Sequence, residues 1–466
     1  MISTSISFKN LERYKNQMLA TLAVNIIAFS QGHAVAWLAP TLLVLQSENS
    51  PLVSGPVTVE EASWIGSVVS VGGITGTILF GTLLNVIGRK KSLYLLTIPH
   101  TGFWVILMFG TVVPHLYIAR ILSGITGGGA FIVIPTFVAD IADNKIRGTL
   151  GSTILVNFNA GILSGFILTS HLSYSLFPRI IIGFSIIYII CIYSLPEAPQ
   201  YLIKMKMHEE AECALRFYRN FKAATKEECQ EFNENLANLK NRINGDLGSK
   251  PSSLSYRDFL KPAAVRGLLI STMLVFMNQA SGLFALVNYT SNIFQMSGSS
   301  LDPNTSTIIV GAIQLMGTFL AAIFVDRVGR RILIISSCIG VAVGCFSLSI
   351  FSYLSLNQDL THLSWIAVAS VSFSILMGSF GLTPLPFIVV TEIMPQKVRP
   401  VAVTFCLCIL SVTGFTVLKI YPIMMVDLGI YGVMWISGGI CLIGAVVMFC
   451  FLPETKGKNL DIKEDS

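Results

Sequence analysis

Asp140-Ile-Ala-Asp-Asn-Lys-Ile-Arg147 and Glu392-Ile-Met-Pro-Gln-Lys-Val-Arg399 follow long apolar runs in the two halves of the chain, and each pairs an acid with a downstream arginine at the same spacing. Gly88-Arg89-Lys90 recurs in the same way as Gly329-Arg330-Arg331. Pro196-Glu197 recurs as Pro453-Glu454. Motifs repeated at similar separations indicate that the second half of the chain is a diverged copy of the first.

The composition excludes an ordinary soluble protein. The 466 residues are 53% hydrophobic and only 12% charged, with a mean hydropathy of +0.70, whereas soluble domains carry about 25% charged residues. The nine cysteines are scattered, and none has the spacing of metal ligands, so we expect no disulfide, metal or cofactor. No nucleophile, base and oxyanion-stabilising group can be assembled, which argues against an enzyme.

Apolar runs long enough to cross a bilayer as helices predict twelve membrane spans, because crossing needs about 20 residues. A polar insertion at 197–262 divides them six and six and reads as short amphipathic helices with a flexible 244–253 segment. The chain thus predicts an all-α membrane protein with units at 1–196, 197–262, 263–453 and 454–466. Twofold repetition in such a chain is typical of transporters with a substrate site between the halves. The predicted spans are 17–40, 62–84, 92–112, 116–138, 149–171, 178–195, 267–294, 304–325, 332–353, 365–391, 400–421 and 431–451.

The distribution of Lys and Arg predicts the orientation of the chain. Of 31 such residues, all but Arg120, Arg179 and Lys419 fall at the termini, in the insertion or in loops on the same side as the insertion. Positive loops stay in the cytoplasm, so we expect the termini and the insertion to be cytoplasmic. The net charge of +6 reflects this bias and does not indicate nucleic-acid binding. The expected partners are the lipid bilayer and a small molecule, and we expect a monomer.

The repeated charged residues lie at the membrane face, where they could form ion pairs. Glycine permits the tight turn at Gly88, and arginine offers a planar fork to carboxylates or helix carbonyls. We expect a gate in each half, which pairs when the cytoplasmic side closes and breaks when it opens. The alternative is that these charges only set the orientation of the chain in the membrane. The predicted gate residues are Arg89, Asp140 and Arg147 in the first half and Arg330, Glu392 and Arg399 in the second.

The same motifs resemble the sugar porter family of the major facilitator superfamily, and its trehalose and hexose facilitators in particular. The similarity extends in order along the chain, through Arg120–Gly124, Pro135–Gly148, Pro196–Leu202, Gln279–Phe294, Asp326–Arg331, Pro384–Arg399 and Pro453–Gly457. The resemblance implies two pseudo-symmetric six-helix bundles, a plasma-membrane location and facilitative transport of a sugar.

Several positions depart from the family's sugar-binding pattern. The family glutamine of span 5 is Leu155 here, and the sugar-binding asparagine of span 7 is Phe284. Nearby amides could replace them, and Phe387 stands where the family has a tryptophan. Each amide could equally form a structural hydrogen bond between two membrane helices. The residues that we expect to bind substrate are Gln279, Asn278, Gln314, Asn159, Asn288, Phe284 and Phe387.

Two further features concern movement and coupling. Tyr289 matches a gating tyrosine of the family, and Gly381–Pro386 should break span 10, because proline removes backbone hydrogen bonds. Span 1 lacks the acid that proton-coupled members of the family carry, and its histidine, His33, is the remaining proton candidate. We therefore expect uniport of trehalose or a hexose by alternating access. The alternatives are a proton-coupled sugar symporter and a non-transporting sugar sensor.

Overall fold

A computed structural model of the chain describes residues 8–143, 145–221, 230, 232–234, 236–237, 239–240, 256–297, 301–395 and 397–455. Within these residues, twelve helical segments are long and apolar enough to cross a membrane. The predicted number and order of the spans are confirmed.

The twelve spans have the following helix bounds. Span 1 comprises Phe8–Ala36 and Leu38–Leu45; spans 2 to 6 are Val59–Val86, Arg89–Phe109, Val113–Ile141, Arg147–His171 and Leu176–Tyr193. Span 7 comprises Pro262–Ala280, Leu283–Asn288 and Thr290–Met296; spans 8 and 9 are Pro303–Val328 and Arg330–Leu354. Span 10 comprises Trp365–Met377, a π-helical turn at Gly378–Leu382 and Leu385–Ile393; spans 11 and 12 are Arg399–Asp427 and Gly429–Phe451.

The two halves meet through two equivalent pairs of spans. Span 2 packs along span 11, and span 5 packs along span 8. A twofold exchange of spans 1–6 with spans 7–12 converts one pair into the other, as expected from the internal repeat. The interior between the halves is therefore bounded by elements that both copies contribute.

Glycines allow close packing inside the first half. A Cβ on Gly72 would collide with the carbonyl of Ile121 in span 4, and one on Gly124 would collide with the carbonyl of Val69 in span 2. Gly32 and Gly161 allow the same approach of spans 1 and 5. Small residues at helix crossings are the usual means of packing in a bilayer, where apolar side chains gain little by leaving lipid.

Spans 7 and 10 are discontinuous. Span 7 was predicted only as a run at 267–294; in the structure Gly282 adopts a left-handed φ of 77°, which interrupts the helix after Ala280. The predicted break in span 10 is present as the π-helical turn that ends before Thr383-Pro384. Broken helices free backbone groups at membrane depth, where a site can use them.

The insertion between the halves contains helices Pro199–Lys204, His208–Tyr218 and Tyr256–Phe259; the segment predicted to be flexible, 244–253, lies outside the described residues. The second of these helices is held to the first half by an ion pair between Arg219 and Asp143. The Tyr218 hydroxyl donates to the carbonyl of Pro196, and burial raises its pKa above the ordinary value. At the other end, Asp258 pairs with Lys397 at 2.6 Å.

Candidate substrate site

Two of the predicted substrate-binding amides meet across the interface between the halves. Gln314 Nε2 in span 8 donates to Asn159 Oδ1 in span 5 at 2.9 Å, and Asn159 Nδ2 donates to Thr318 Oγ1 at 2.7 Å. All three side chains are buried. The Oε1 atom of Gln314 has no hydrogen-bond partner among the described groups. This cluster thus joins the halves near mid-membrane. Its Gln314 Oε1 atom remains a hydrogen-bond acceptor without a donor in the described part of the chain.

Gln279 occupies the opposite seam between the halves. It is buried in span 7, and its Oε1 also lacks a partner in the described part of the chain. A Cβ built on Gly414 of span 11 would lie 3.4 Å from this oxygen and 3.3 Å from Ser70 Oγ of span 2. The amide therefore sits where spans 2, 7 and 11 converge. Leaving a buried acceptor unpaired costs about 1–3 kcal/mol, which a bound donor would recover.

The other predicted amides of span 7, Asn278 and Asn288, each donate to a nearby carbonyl, and the Asn288 Oδ1 atom has no partner among the described groups. Asn278 Nδ2 donates to the carbonyls of Leu382 and Thr383 at 2.9 and 3.2 Å, so it caps the break in span 10. Asn288 is fully buried and donates to the carbonyl of Phe284 in the preceding turn. The ring of Phe284 is partly buried against the core. Asn278 thus holds the broken part of span 10 in position.

Phe387, predicted as an aromatic face for the substrate, lies in a contact between the halves. Its ring stacks on Phe131 of span 4, with centroids 6.5 Å apart and planes 17° apart. Phe131 also meets Phe158 edge to face at 5.5 Å. Phe158 precedes Asn159, so the aromatic cluster lies beside the amide cluster. Sequence reasoning missed Phe131, because one phenylalanine within a long apolar run carries no separate signal.

The face opposite the insertion, which we call the outer face, is closed by contacts between the halves. Tyr289 of span 7 is fully buried, lies against Gly66 of span 2 and donates to the carbonyl of Leu418 at 3.0 Å. Its ring stacks on Tyr421 with planes 9° apart. Any side chain on Gly66 would collide with the Tyr289 hydroxyl. Tyr289 therefore lies where a gate between span 2 and span 7 would have to move.

Lys419 adds a second outer contact that the sequence did not reveal as such. Its Nζ donates to Ser63 Oγ at 2.8 Å and lies 4.0 Å above the centre of the Trp64 ring. Both partners belong to span 2, so a cation of span 11 bridges the halves. The available signal was that Lys419 is one of three cations on the outer side. Gln46 and Asn292 form a further bridge at 3.0 Å.

The predicted gate charges on the insertion side pair inside each half. Arg89 Nε lies 2.7 Å from Asp140 Oδ2, and Arg330 Nη2 lies 3.0 Å from Glu392 Oε1. The two downstream arginines instead donate to carbonyls just before their own helices: Arg147 to Ala142 and Arg399 to Met394. The geometry shows two braces, one in each half, formed while the outer face is closed.

Glutamates of the third repeated motif complete these braces, although their role was not foreseen. Glu197 accepts from the backbone N–H groups of Arg89 and Lys90 at 3.0–3.1 Å. Glu454 does the same for Arg330 and Arg331 at 3.0 and 3.3 Å. Each carboxylate thus caps the positive end of a membrane helix. The repeat of the Pro-Glu pair could have indicated a shared role for these glutamates. Its spacing in the sequence does not show which helix each glutamate caps.

His33 is fully buried and both ring nitrogens have partners. Nδ1 lies 3.0 Å from the carbonyl of Phe29, and Nε2 lies 3.1 Å from Ser164 Oγ. The ring packs among Phe29, Phe177 and Phe184. A histidine in these surroundings forms a hydrogen-bonding link between spans 1 and 5.

Comparisons with known proteins agree with this architecture. The family model described as "Sugar (and other) transporter" matches residues 20–465. The facilitated trehalose transporter Tret1 of Culex quinquefasciatus is 30% identical over 447 residues, which make up 96% of this chain and 84% of that relative. Tret1 of Polypedilum vanderplanki is 30% identical over 446 residues, or 96% of this chain and 86% of that relative.

Solved structures show the same fold. The xylose transporter XylE from E. coli, in a partially occluded inward open conformation, matches with a TM-score of 0.77 at 22% identity, covering 96% of this chain and 100% of that one. Its inward open conformation matches with a TM-score of 0.76 at 23% identity, covering 94% and 97%. The whole-length match to the family model shows that the chain belongs to the sugar transporter family of the major facilitator superfamily, a family of membrane transporters and not of enzymes.

Proposed function

We propose that the protein carries trehalose or a hexose across the plasma membrane, down its gradient and without a coupled ion. The observation that carries this proposal is that Gln279 and Gln314, at the two seams between the halves, each have a buried amide oxygen without a partner among the described groups; the same holds for Asn25, Gln31, Asn288 and Asn292 elsewhere. The oxygens of Gln279 and Gln314 each face a seam between the halves, and each needs a hydrogen-bond donor. Sugar hydroxyls supply such donors, and the named trehalose transporters among the relatives make a sugar the natural donor.

The substrate would be enclosed by elements of both halves. Asn159 and Gln314 form one wall, Gln279 lies at the other seam, and the stacked rings of Phe131 and Phe387 offer apolar surface to a sugar ring. Two features make the site less polar than the family pattern, namely Leu155 and Phe284. Asn278 and Asn288 would act indirectly, by fixing the broken spans 10 and 7.

Alternating access follows from where the contacts lie. Tyr289, Lys419 and Gln46 close the outer face through contacts that cross between the halves. The Arg89–Asp140 and Arg330–Glu392 braces stay within a half. Opening the outer face would break the first set, while the braces would let each half move as a unit. We propose that the gate on the insertion side closes when the two braced helix ends, which include Arg147 and Arg399, come together; the charge pairs would then stay formed in both states, unlike the breaking pairs that the sequence predicts.

The distribution of positive charge supports the orientation in which the insertion and both termini are cytoplasmic. The outer face is then extracellular. We propose that one chain is the transporting unit, since both copies of the internal repeat contribute to the same site.

An uptake screen tests the proposal directly. The purified protein is reconstituted in liposomes, and entry of labelled trehalose, glucose, fructose and a polyol is measured. We expect saturable entry of trehalose or a hexose that Gln314→Ala slows and that Gln358→Ala, an exposed amide of the outer loop, leaves unchanged. No uptake of any sugar, by a folded protein that does bind one, would support the sensor alternative and overturn the proposal.

A further inference from the structure

A groove far from the substrate site runs between spans 7 and 12 at the insertion end of the second half. It is open along one side and has a volume of about 690 Å³. Its walls are almost wholly apolar, and large side chains such as Leu269 and Phe451 are two-thirds exposed along it. The walls include Val265, Leu269 and Met273 of span 7 and Val447, Cys450 and Phe451 of span 12.

The groove opens toward lipid. Span 12 packs on spans 7, 9 and 11, all in its own half, so its other face meets the bilayer. The exposed leucine and phenylalanine need an apolar cover. A hydrocarbon chain that lies along the helices would supply that cover, and the groove has the length of about two turns of each helix.

Among the described residues that line the groove, Arg266 is the one that carries a charge. It lies four residues into span 7, hence about 6 Å along the helix from its beginning on the insertion side. The side chain is exposed, and no described residue forms an ion pair or a hydrogen bond with it. The nearby acid, Asp258, is already held by Lys397 and Lys261. The mouth of the groove is therefore positively charged.

We propose that this groove binds one anionic phospholipid, with an acyl chain between spans 7 and 12 and its phosphate on Arg266. The proposal rests on the orientation given with the proposed function, because the cytoplasmic leaflet is the one that carries anionic lipids. A bound lipid would stabilise the insertion end of span 7, whose far end carries Gln279 and the break at Gly282. The guanidinium would provide the bidentate contact that phosphate prefers.

The test measures lipid binding without any sugar, so its outcome is independent of the transport proposal. The full-length protein in detergent is incubated with phosphatidylcholine or with phosphatidylglycerol and repurified, and its melting temperature and the lipid that stays bound are determined. We expect phosphatidylglycerol to be retained and to raise the melting temperature, since a ligand that binds only the folded state stabilises it. Arg266→Gln should weaken retention about tenfold.

Two further variants make the test specific. Leu269→Trp, which fills the groove and keeps the charge, should also abolish retention. Lys91→Gln removes an exposed cation at the same membrane face of span 3 and should behave like wild type. Equal retention by wild type, Arg266→Gln and Leu269→Trp would overturn the proposal, since only diffuse attraction to a positive surface would then remain. Absence of any retained anionic lipid in wild type would overturn it as well.

Discussion

Gln279 carries a buried carbonyl oxygen that no described donor reaches, at the point where spans 2, 7 and 11 converge. A substrate hydroxyl that donates to this oxygen would be lost in Gln279→Ala, at a cost of about 1–3 kcal/mol. We expect the half-saturating sugar concentration to rise about tenfold, measured by uptake into liposomes, while Gln358→Ala remains normal. If neither Gln279→Ala nor Gln314→Ala changes that concentration, the substrate site lies elsewhere.

Substitution of Phe284 tests whether the phenylalanine at the position of the family's sugar-binding asparagine alters which sugars are transported. Its ring is partly buried against the core and cannot pair with a sugar hydroxyl, which is costly to desolvate alone. Phe284→Asn should therefore increase uptake of glucose relative to the preferred sugar, measured by competition in liposomes, and Phe284→Leu should not. Unchanged selectivity in Phe284→Asn would mean that this ring serves packing only.

The sequence indicated candidate site residues, but it did not indicate which groups they contact. Asn159 and Gln314 were predicted separately as substrate contacts, and their mutual hydrogen bond depends on how spans 5 and 8 are set against each other. Asn278 was predicted in the same group, yet it binds the carbonyls of span 10. One-dimensional spacing places a side chain on a helix face. It does not say which backbone lies opposite.

At the scale of elements, the same brace recurs at the helix ends of both halves. Asp140→Asn would leave the buried Arg89 without its carboxylate, and we expect a loss of about 1–3 kcal/mol seen as a lower melting temperature in detergent. Glu212→Gln removes an exposed i,i+4 pair with Arg216 and should change little, because such pairs are weak. Equal melting temperatures for wild type and Asp140→Asn would mean that the charges serve topology alone.

The elements themselves were largely predictable, because twelve apolar runs and a twofold repeat leave few alternatives. The break in span 10 followed from Gly381–Pro386. The break in span 7 did not, because Ser281-Gly282 within an apolar run reads as a tolerated glycine. In the structure Gly282 has a left-handed φ and lies so close to Ser437 of span 12 that a Cβ would come within 2.9 Å of its hydroxyl oxygen.

At the scale of the whole molecule, the outer closure should set the balance between the two open states. Lys419→Met removes a hydrogen bond to Ser63 and a cation–π contact with Trp64, together about 1–2 kcal/mol. Opening of the outer face should thus become severalfold more frequent. A cysteine at Ser70, which faces Gly414 across the seam, should react faster with an impermeant thiol reagent from outside.

Lys419→Arg is the matched control, since it keeps the charge over the ring, and the Ser70→Cys protein alone gives the baseline. Slower labelling in Lys419→Met would contradict a closing role for this lysine. The sequence indicated only that Lys419 is a rare cation on the outer side. Its bridging role depends on the relative position of the halves, which no pattern within one span encodes.

Uncoupled transport is the central claim, and the effect of an imposed pH gradient on sugar uptake tests it most directly. No acid lies between Arg13 and Leu45 in span 1, and His33 is enclosed with both nitrogens bonded. In liposomes, labelled sugar should therefore reach the external concentration and no more, with or without the gradient, and without a substrate-induced current. Accumulation above the external concentration that a protonophore abolishes would contradict the account and establish a proton symporter.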